Sequence, residues 1–242
     1  MITAITFDFW NTLYKAAPYA FALRRKFLFD LFARCHIDVT VEQVDAAEEV
    51  ARREWNRIWR EEYRTPPAAD WVRWMLEELL ITLPPEDFNA LADYFDRSLL
   101  KADPGPTLID GAAETIQRLA PHYRLGIISD SGLSIGLTLR QFLKRDGLLD
   151  YFTCTTFSDE VGVSKPHARI FQITLDRLGA QPQEAVHIGD LTHSDIAGAK
   201  AIGMAAVRLT ANYDDANRSV EPDAVVKSYA EFEVWLKSKA EG

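Results

Sequence analysis

Cysteine is scarce: Cys35 and Cys154 are the only two in 242 residues, which excludes a disulfide-stapled scaffold. No apolar run approaches the roughly 18 residues that a membrane-spanning helix needs. The opening MITAITFDFW has no basic segment and reaches Asp8 at once, unlike a secretory leader. Positive charge is in deficit, with 27 Lys and Arg against 36 Asp and Glu and a net charge of −9. Nucleic acids and anionic lipids demand a basic surface, so neither nucleic acid nor membrane is expected as a partner. Internal repeats and low-complexity tracts are also missing. With 48% hydrophobic and 26% charged residues, the chain can close a core without staples. The expectation is a cytoplasmic protein with free thiols, monomer or homodimer.

Periodicity divides the chain into three stretches. Residues 2–7 (ITAITF) are rich in β-branched and aromatic side chains and read as a buried strand ending at Asp8. From 17 to 101, three or four helical patterns follow one another with no strand between them. The clearest covers 40–64, where Val44, Ala47, Ala51, Trp55, Ile58 and Trp59 form an apolar stripe. Thr40 and Gln43 have the spacing of a capping box, and Pro66-Pro67 and Pro84-Pro85 end or separate helices. After a linker, DPGP at 103–106, strands at 124–129, 152–157, 185–189, 204–209 and 223–226 alternate with helices at 110–120, 132–145, 167–179, 194–202 and 228–239. Such alternation predicts an α/β fold with a doubly wound, Rossmann-like parallel sheet. Its core would be residues 1–14 and 103–242, with 15–102 inserted as an all-helical cap.

Active groups in such sheets gather beyond the carboxyl ends of the strands. Four polar clusters lie there: Asp8 in FDFWNTL, Ser129 in GIISDS, Lys165 in SKPHARIF, and Asp190 with Asp195 in IGDLTHSD. Carboxylates are hard oxygen ligands suited to Mg²⁺, which keeps one or two of them together with waters and substrate phosphate. A lysine nearby keeps a nucleophilic carboxylate ionised. A serine hydroxyl can bond a phosphoryl oxygen, and a carboxylate can attack phosphorus to form an aspartyl-phosphate.

In these motifs the chain resembles the haloacid dehalogenase superfamily of hydrolases over nearly its whole length. DFWNTL, Ser129, Lys165-Pro166 with KPHARIF, and GDLTHSD stand in the order and spacing of that superfamily's core motifs. The resemblance implies a helical cap after the first strand, a small phosphorylated substrate and Mg²⁺ as cofactor. It implies Asp8 as nucleophile and metal ligand, with Ser129 and Lys165 holding the transferring group. The backbone carbonyl of Trp10, Asp190 and Asp195 (directly or through water) would complete the metal site, and Thr12 would fix the loop around Asp8. Trp10, Asn11, Thr12 and Asp130 are candidates for contact with substrate.

Trp10 departs from the phosphatase pattern, which places a second aspartate two residues beyond the nucleophile to protonate the leaving oxygen. Indole can only donate a hydrogen bond. Its presence implies a preference for acyl or aryl phosphates over poor alkoxide leaving groups. It also keeps two rivals in view. One is a 2-haloacid dehalogenase-like hydrolase, since those enzymes carry an aromatic residue there. The other is a binding or regulatory protein on a non-catalytic scaffold. Against the first stand the two acids of GDLTHSD, which a metal-free dehalogenase does not need, and DFWNTL itself. Phosphonate cleavage through Lys15 or Lys26 lacks a supporting motif.

Other residues read more simply. Asp130, where asparagine is common, adds negative charge beside an anion site. Arg53, Arg57, Arg60 and Arg64 form a solvated stripe, and Arg24 and Arg25 are weak candidates for phosphate. Trp55, Trp59, Trp71 and Trp74 pack between helices or line an apolar pocket. His187 is a satisfied core histidine, while His193 flanks the metal motif.

Overall fold

The computed structural model describes residues 1–15 and 19–239. Six parallel strands form one sheet: β1 (Ala4–Phe7), β2 (Arg124–Ser129), β3 (Phe152–Phe157), β4 (Ala185–Gly189), β5 (Ala205–Leu209) and β6 (Ala224–Val226), in the order β3-β2-β1-β4-β5-β6. The connections reverse direction beside β1, between β1 and β4, which is where open α/β sheets form a crevice for ligands. Phe7 is paired with Ile127 on one side and Ile188 on the other. The residues just past β1 and β4 therefore emerge side by side.

Alternation along each strand sends side chains to two cores. Ile5 and Phe7 join a cluster with Ile116, Leu139 and Phe232, from α5 (Ala112–Leu119), α6 (Gly136–Arg145) and α10 (Tyr229–Ser238). Ala4 and Ile128 face the opposite cluster, with Phe171 and Leu175 of α8 (Ala168–Leu178) and Ala199 of α9 (Ala197–Ala201). A sheet covered on both faces needs strands that are apolar on both sides, as AITF and GIIS are. Each fully buried Phe or Ile of this kind contributes about 1.5–3 kcal/mol.

Between β1 and β2 the described chain is helical from Tyr19 to Lys101: α1 (Tyr19–Arg34), α2 (Val41–Arg57), α3 (Ala68–Glu78) and α4 (Pro85–Arg97), with a π turn at Ile58–Glu62 and a 3₁₀ turn at Ser98–Lys101. The expected beginning of this block at residue 17 lies outside the described residues, as do 240–242. The block has its own core of Leu28, Leu31, Val44, Ala51, Val72 and Met75, joined by Leu133 from the loop after β2. Several boundaries differ from the sequence reading, among them the expected helix at 194–202, which is a π turn at Thr192–Ile196 followed by α9. The helix expected from 132 starts at Gly136, because residues 131–134 fold as a loop against the helical block. The four-residue helix α7 (Ser158–Val161) was too short to carry a periodic signal. Among the described residues no helix is long and apolar enough to cross a membrane.

The start of α2 is fixed locally. Thr40 Oγ1 accepts from Gln43 N–H, and Gln43 Oε1 accepts from Thr40 N–H at 2.8 Å. Thr40→Ala is expected to cost about 1 kcal/mol of stability. Denaturant unfolding reads this, and an unchanged midpoint would show that the cap contributes nothing.

Candidate active site

Asp8 follows β1 with its N–H bonded to Ile188 O of β4 at 2.9 Å, so its carboxyl stands at the crevice between the two strands. The loop turns back at once: Phe9 O accepts from both Leu13 and Tyr14 N–H. The Trp10 carbonyl takes no part in the backbone hydrogen bonds of this loop among the described residues. Thr12 is fully buried, its carbonyl accepts from Tyr229 Oη at 2.7 Å, and its hydroxyl has no partner.

Lys165 comes from the loop before α8. Its ammonium is 3% exposed and donates to Asp8 Oδ1 and Asp195 Oδ1, each at 2.6 Å. Asp195 lies in the π turn Thr192–Ile196 that follows β4. Its Oδ1 is also 3.1 Å from His187 Nε2, and its Oδ2 accepts from Leu191 N–H at 2.9 Å. His187 Nδ1 lies 2.9 Å from Thr6 Oγ1, so the buried imidazole is bonded at both nitrogens. Gly189 makes the approach of Asp195 possible, because a Cβ there would fall 2.3 Å from Asp195 Cγ.

Asp190 Oδ2 accepts from Asn11 Nδ2 at 3.2 Å, and Asn11 Oδ1 accepts from Asn212 at 2.9 Å. Asp8, Asp190 and Asp195 place a carboxylate oxygen each within 4.8 Å of one another. Burial pushes Asp8 up to about 6, against the attraction of Lys165. Burial, reinforced by the charges of Asp8 and Asp195, pushes Asp190 up to about 8. Burial opposes ionisation of Asp195 as well, but Lys165 and His187 outweigh it and hold that carboxyl well below the usual range. Burial would lower Lys165, yet the three surrounding aspartates keep its ammonium firmly protonated.

Three acids around one ammonium leave an excess of negative charge, which resists ionisation of Asp190 more than that of Asp8, where Lys165 donates directly. That donor set fits a hard divalent cation. Asp190, the free oxygen of Asp8 and the Trp10 carbonyl are the available donors. Asp195 already accepts three hydrogen bonds, which suits contact through water.

A cavity of about 180 Å³ brings together Asp8, Trp10, Asn11, Asp130, Lys165, Asp190 and Asp195. Ser129 and Thr12 are fully buried and do not line it; among the described residues Ser129 Oγ donates a hydrogen bond only to the carbonyl of Asp130, at 3.3 Å. Asp130 is engaged on both oxygens, accepting from Lys165 N–H at 2.9 Å and from Trp59 Nε1 at 2.8 Å. The helical block thus reaches the site through Trp59 and Trp55, whose involvement could not be separated from helix packing in the sequence. Trp59 sits in a π turn, a local irregularity that often marks functional sites. Of the arginine stripe, Arg57 and Arg64 are paired to Glu54 and Glu62, whereas Arg60 packs on Trp59 and lines a neighbouring cavity with Lys165 and His193.

The parallel sheet, the position of Asp8 and the lysine–acid cluster define a class, and comparison with known proteins gives its name. The chain belongs to the haloacid dehalogenase-like hydrolases, whose family model matches residues 2–203. It is 31% identical over 215 residues to a glyceraldehyde 3-phosphate phosphatase from Methanopyrus kandleri, covering 86% of this chain and 84% of that one. A solved 2-haloacid dehalogenase from Pseudomonas syringae pv. Tomato is similar at a TM-score of 0.74 and 26% identity, covering 98% of this chain and 99% of that one. A solved HAD phosphatase from Thermococcus onnurineus is similar at a TM-score of 0.66 and 25% identity, covering 97% and 98%.

In chelator, Asp8 and Asp190 hold protons in the folded protein at pH values where unfolded carboxyls, with an ordinary value of 3.8, have lost them. Stability is therefore expected to fall as pH rises from about 4 to about 8. Asp190→Asn removes the more strongly raised group, so it should flatten this slope and raise the Tm near pH 8. Saturating divalent cation should offset the fall in the wild type. A slope unchanged by Asp190→Asn would contradict the charge argument.

Proposed function

We propose that this chain is a divalent metal-dependent phosphatase of small phosphorylated metabolites, working through an aspartyl-phosphate at Asp8. The observation that carries the reading is Asp190 beside Asp8 within a three-carboxylate cluster. Displacement of a halide by Asp8 needs no such excess of acids. Binding of a phosphoryl group beside them does require a compensating cation. Mg²⁺, held by Asp8, Asp190, the Trp10 carbonyl and, through water, Asp195, would supply charge neutralisation of the carboxylates and the phosphoryl oxygens.

The chain's own groups then have distinct tasks. Lys165 donates to Asp8 Oδ1, keeping the carboxylate ionised and leaving Oδ2 to attack phosphorus. The phosphorus–leaving-oxygen bond breaks as the Asp8–phosphorus bond forms, and the leaving group departs with its electron pair. Water then attacks the same phosphorus, the bond from Asp8 Oδ2 to phosphorus breaks with its electron pair returning to the carboxylate, and the water's proton passes to bulk water as inorganic phosphate leaves. Ser129, behind the cavity wall, would act by holding the loop that begins at Asp130. Residues 15–102 would form a cap whose Trp55 and Trp59 exclude water from the reacting centre.

Trp10 offers no proton to the leaving oxygen, and such acid–base help is worth roughly 10²–10⁴-fold. Turnover should therefore fall steeply from acetyl phosphate through p-nitrophenyl phosphate to glycerol phosphate, and Asp8→Asn should abolish it. Phosphate release with and without Mg²⁺ measures this. Equal rates on all three, or activity surviving Asp8→Asn, would refute the mechanism. The aromatic residue at position 10 favours one second reading, halide displacement by Asp8, which predicts chloride or fluoride release from 2-haloacids in the presence of chelator.

A further inference from the structure

A second chamber, of about 570 Å³, opens beside the acid cavity and shares Trp10, Trp55 and Gly132 with it. Its walls are aromatic and apolar, with Phe21, Trp71 and Leu99 facing the two shared tryptophans. No aspartate or glutamate lines it among the described residues, although the chain carries a net charge of −9. Of its two arginines, Arg52 is half-exposed and paired with Glu49. The other, Arg24, is 4% exposed.

Arg24 is held rigidly by neutral acceptors. Nε and Nη2 both donate to Phe95 O, at 3.1 and 2.9 Å. Nη2 also lies 3.1 Å from Leu133 O and from Ser134 Oγ. The guanidinium packs against the rings of Phe21 and Phe95. It forms no ion pair, and Nη1 makes no hydrogen bond among the described residues. Asp96 acts on it only at a distance, its own Oδ1 being buried without a partner. A buried cation with no acid in contact is costly unless something supplies one.

We propose that this chamber binds an aromatic carboxylate, with Arg24 Nη1 as the counter-ion and the tryptophan walls holding the ring. A single fixed nitrogen with two free N–H groups on one positive charge matches a monovalent planar oxyanion. Flat aromatic walls match a ring, and the volume is in the range of small-ligand sites. Resting on the phosphatase reading, the same assignment makes this group the distal part of the leaving group. An aryl oxide also departs without the proton that Trp10 cannot give. The substrate class is then a phosphorylated phenol bearing a carboxylate remote from the phosphoryl group.

The test separates the two readings. Calorimetry on the wild-type protein compares 4-hydroxybenzoate with 4-hydroxybenzamide, ligands that need neither phosphate nor metal. The acid should bind about tenfold more tightly. Arg24→Met should abolish that preference and Arg24→Lys should retain part of it. Both ligands are read on the same folded fraction, so partial unfolding does not mimic the effect. Phe21→Asp, at a half-exposed position beside Arg24, supplies an internal carboxylate and should erase the preference if Arg24→Met does not fold. In turnover, 4-carboxyphenyl phosphate should show about a tenfold lower KM than its carboxamide. Equal binding of acid and amide, or binding of neither, overturns the assignment. Tight binding of the acid without hydrolysis of either aryl phosphate contradicts the phosphatase reading and supports the chamber.

Discussion

The site is organised by one buried ammonium. Lys165 Nζ bonds carboxylates from opposite sides of the crevice, Asp8 after β1 and Asp195 after β4, and all three groups are almost wholly buried. Such a network is stable only when every member is satisfied. The neighbouring structure supplies the missing bonds: His187 and the Leu191 N–H complete Asp195, and Thr6 completes His187. Gly189 gives the space in which Asp195 sits. Core packing and active-site geometry are thus one problem in this chain, because a strand residue such as His187 serves both.

The same network leaves Asp190 and one oxygen of Asp8 without a cation, and burial pushes both carboxyls above their ordinary range. In the proposed reaction this imbalance binds the metal, and through it the phosphoryl group. Among the described residues the helical block lines the acid cavity with Trp55 and Trp59 and no charged side chain. Trp59 takes up one oxygen of Asp130, which the Lys165 N–H has already engaged on the other side. The extra acid at position 130 lines the cavity with both of its oxygens engaged by hydrogen bonds.

Much of this was legible in the sequence. Strands buried on both faces announce themselves as short β-branched runs, and the polar residue that ends each run marks the functional edge of the sheet. Asp8, Lys165, Asp190 and Asp195 were found that way and lie together. What could not be read depends on tertiary contact. The role of Trp59 rests on a bond to a residue 71 positions away, and Arg24, a weak phosphate candidate in the sequence, is buried in the fold with Phe95 O, Leu133 O and Ser134 Oγ as its hydrogen-bond partners. Its helix, α1, shows no clear amphipathic pattern that would have marked position 24 as buried. The loop at 131–134 reads as helix because its residues tolerate helix; contact with the helical block decides otherwise.

In the proposed reaction Asp8 is the nucleophile that accepts the phosphoryl group. Acid-quenching the protein during turnover of acetyl phosphate carrying a labelled phosphoryl group, followed by peptide mapping, tests it directly. The label is expected on the peptide containing Asp8, appearing only with divalent metal and absent from Asp8→Asn. Steady hydrolysis with that peptide unlabelled at every quench time would contradict it.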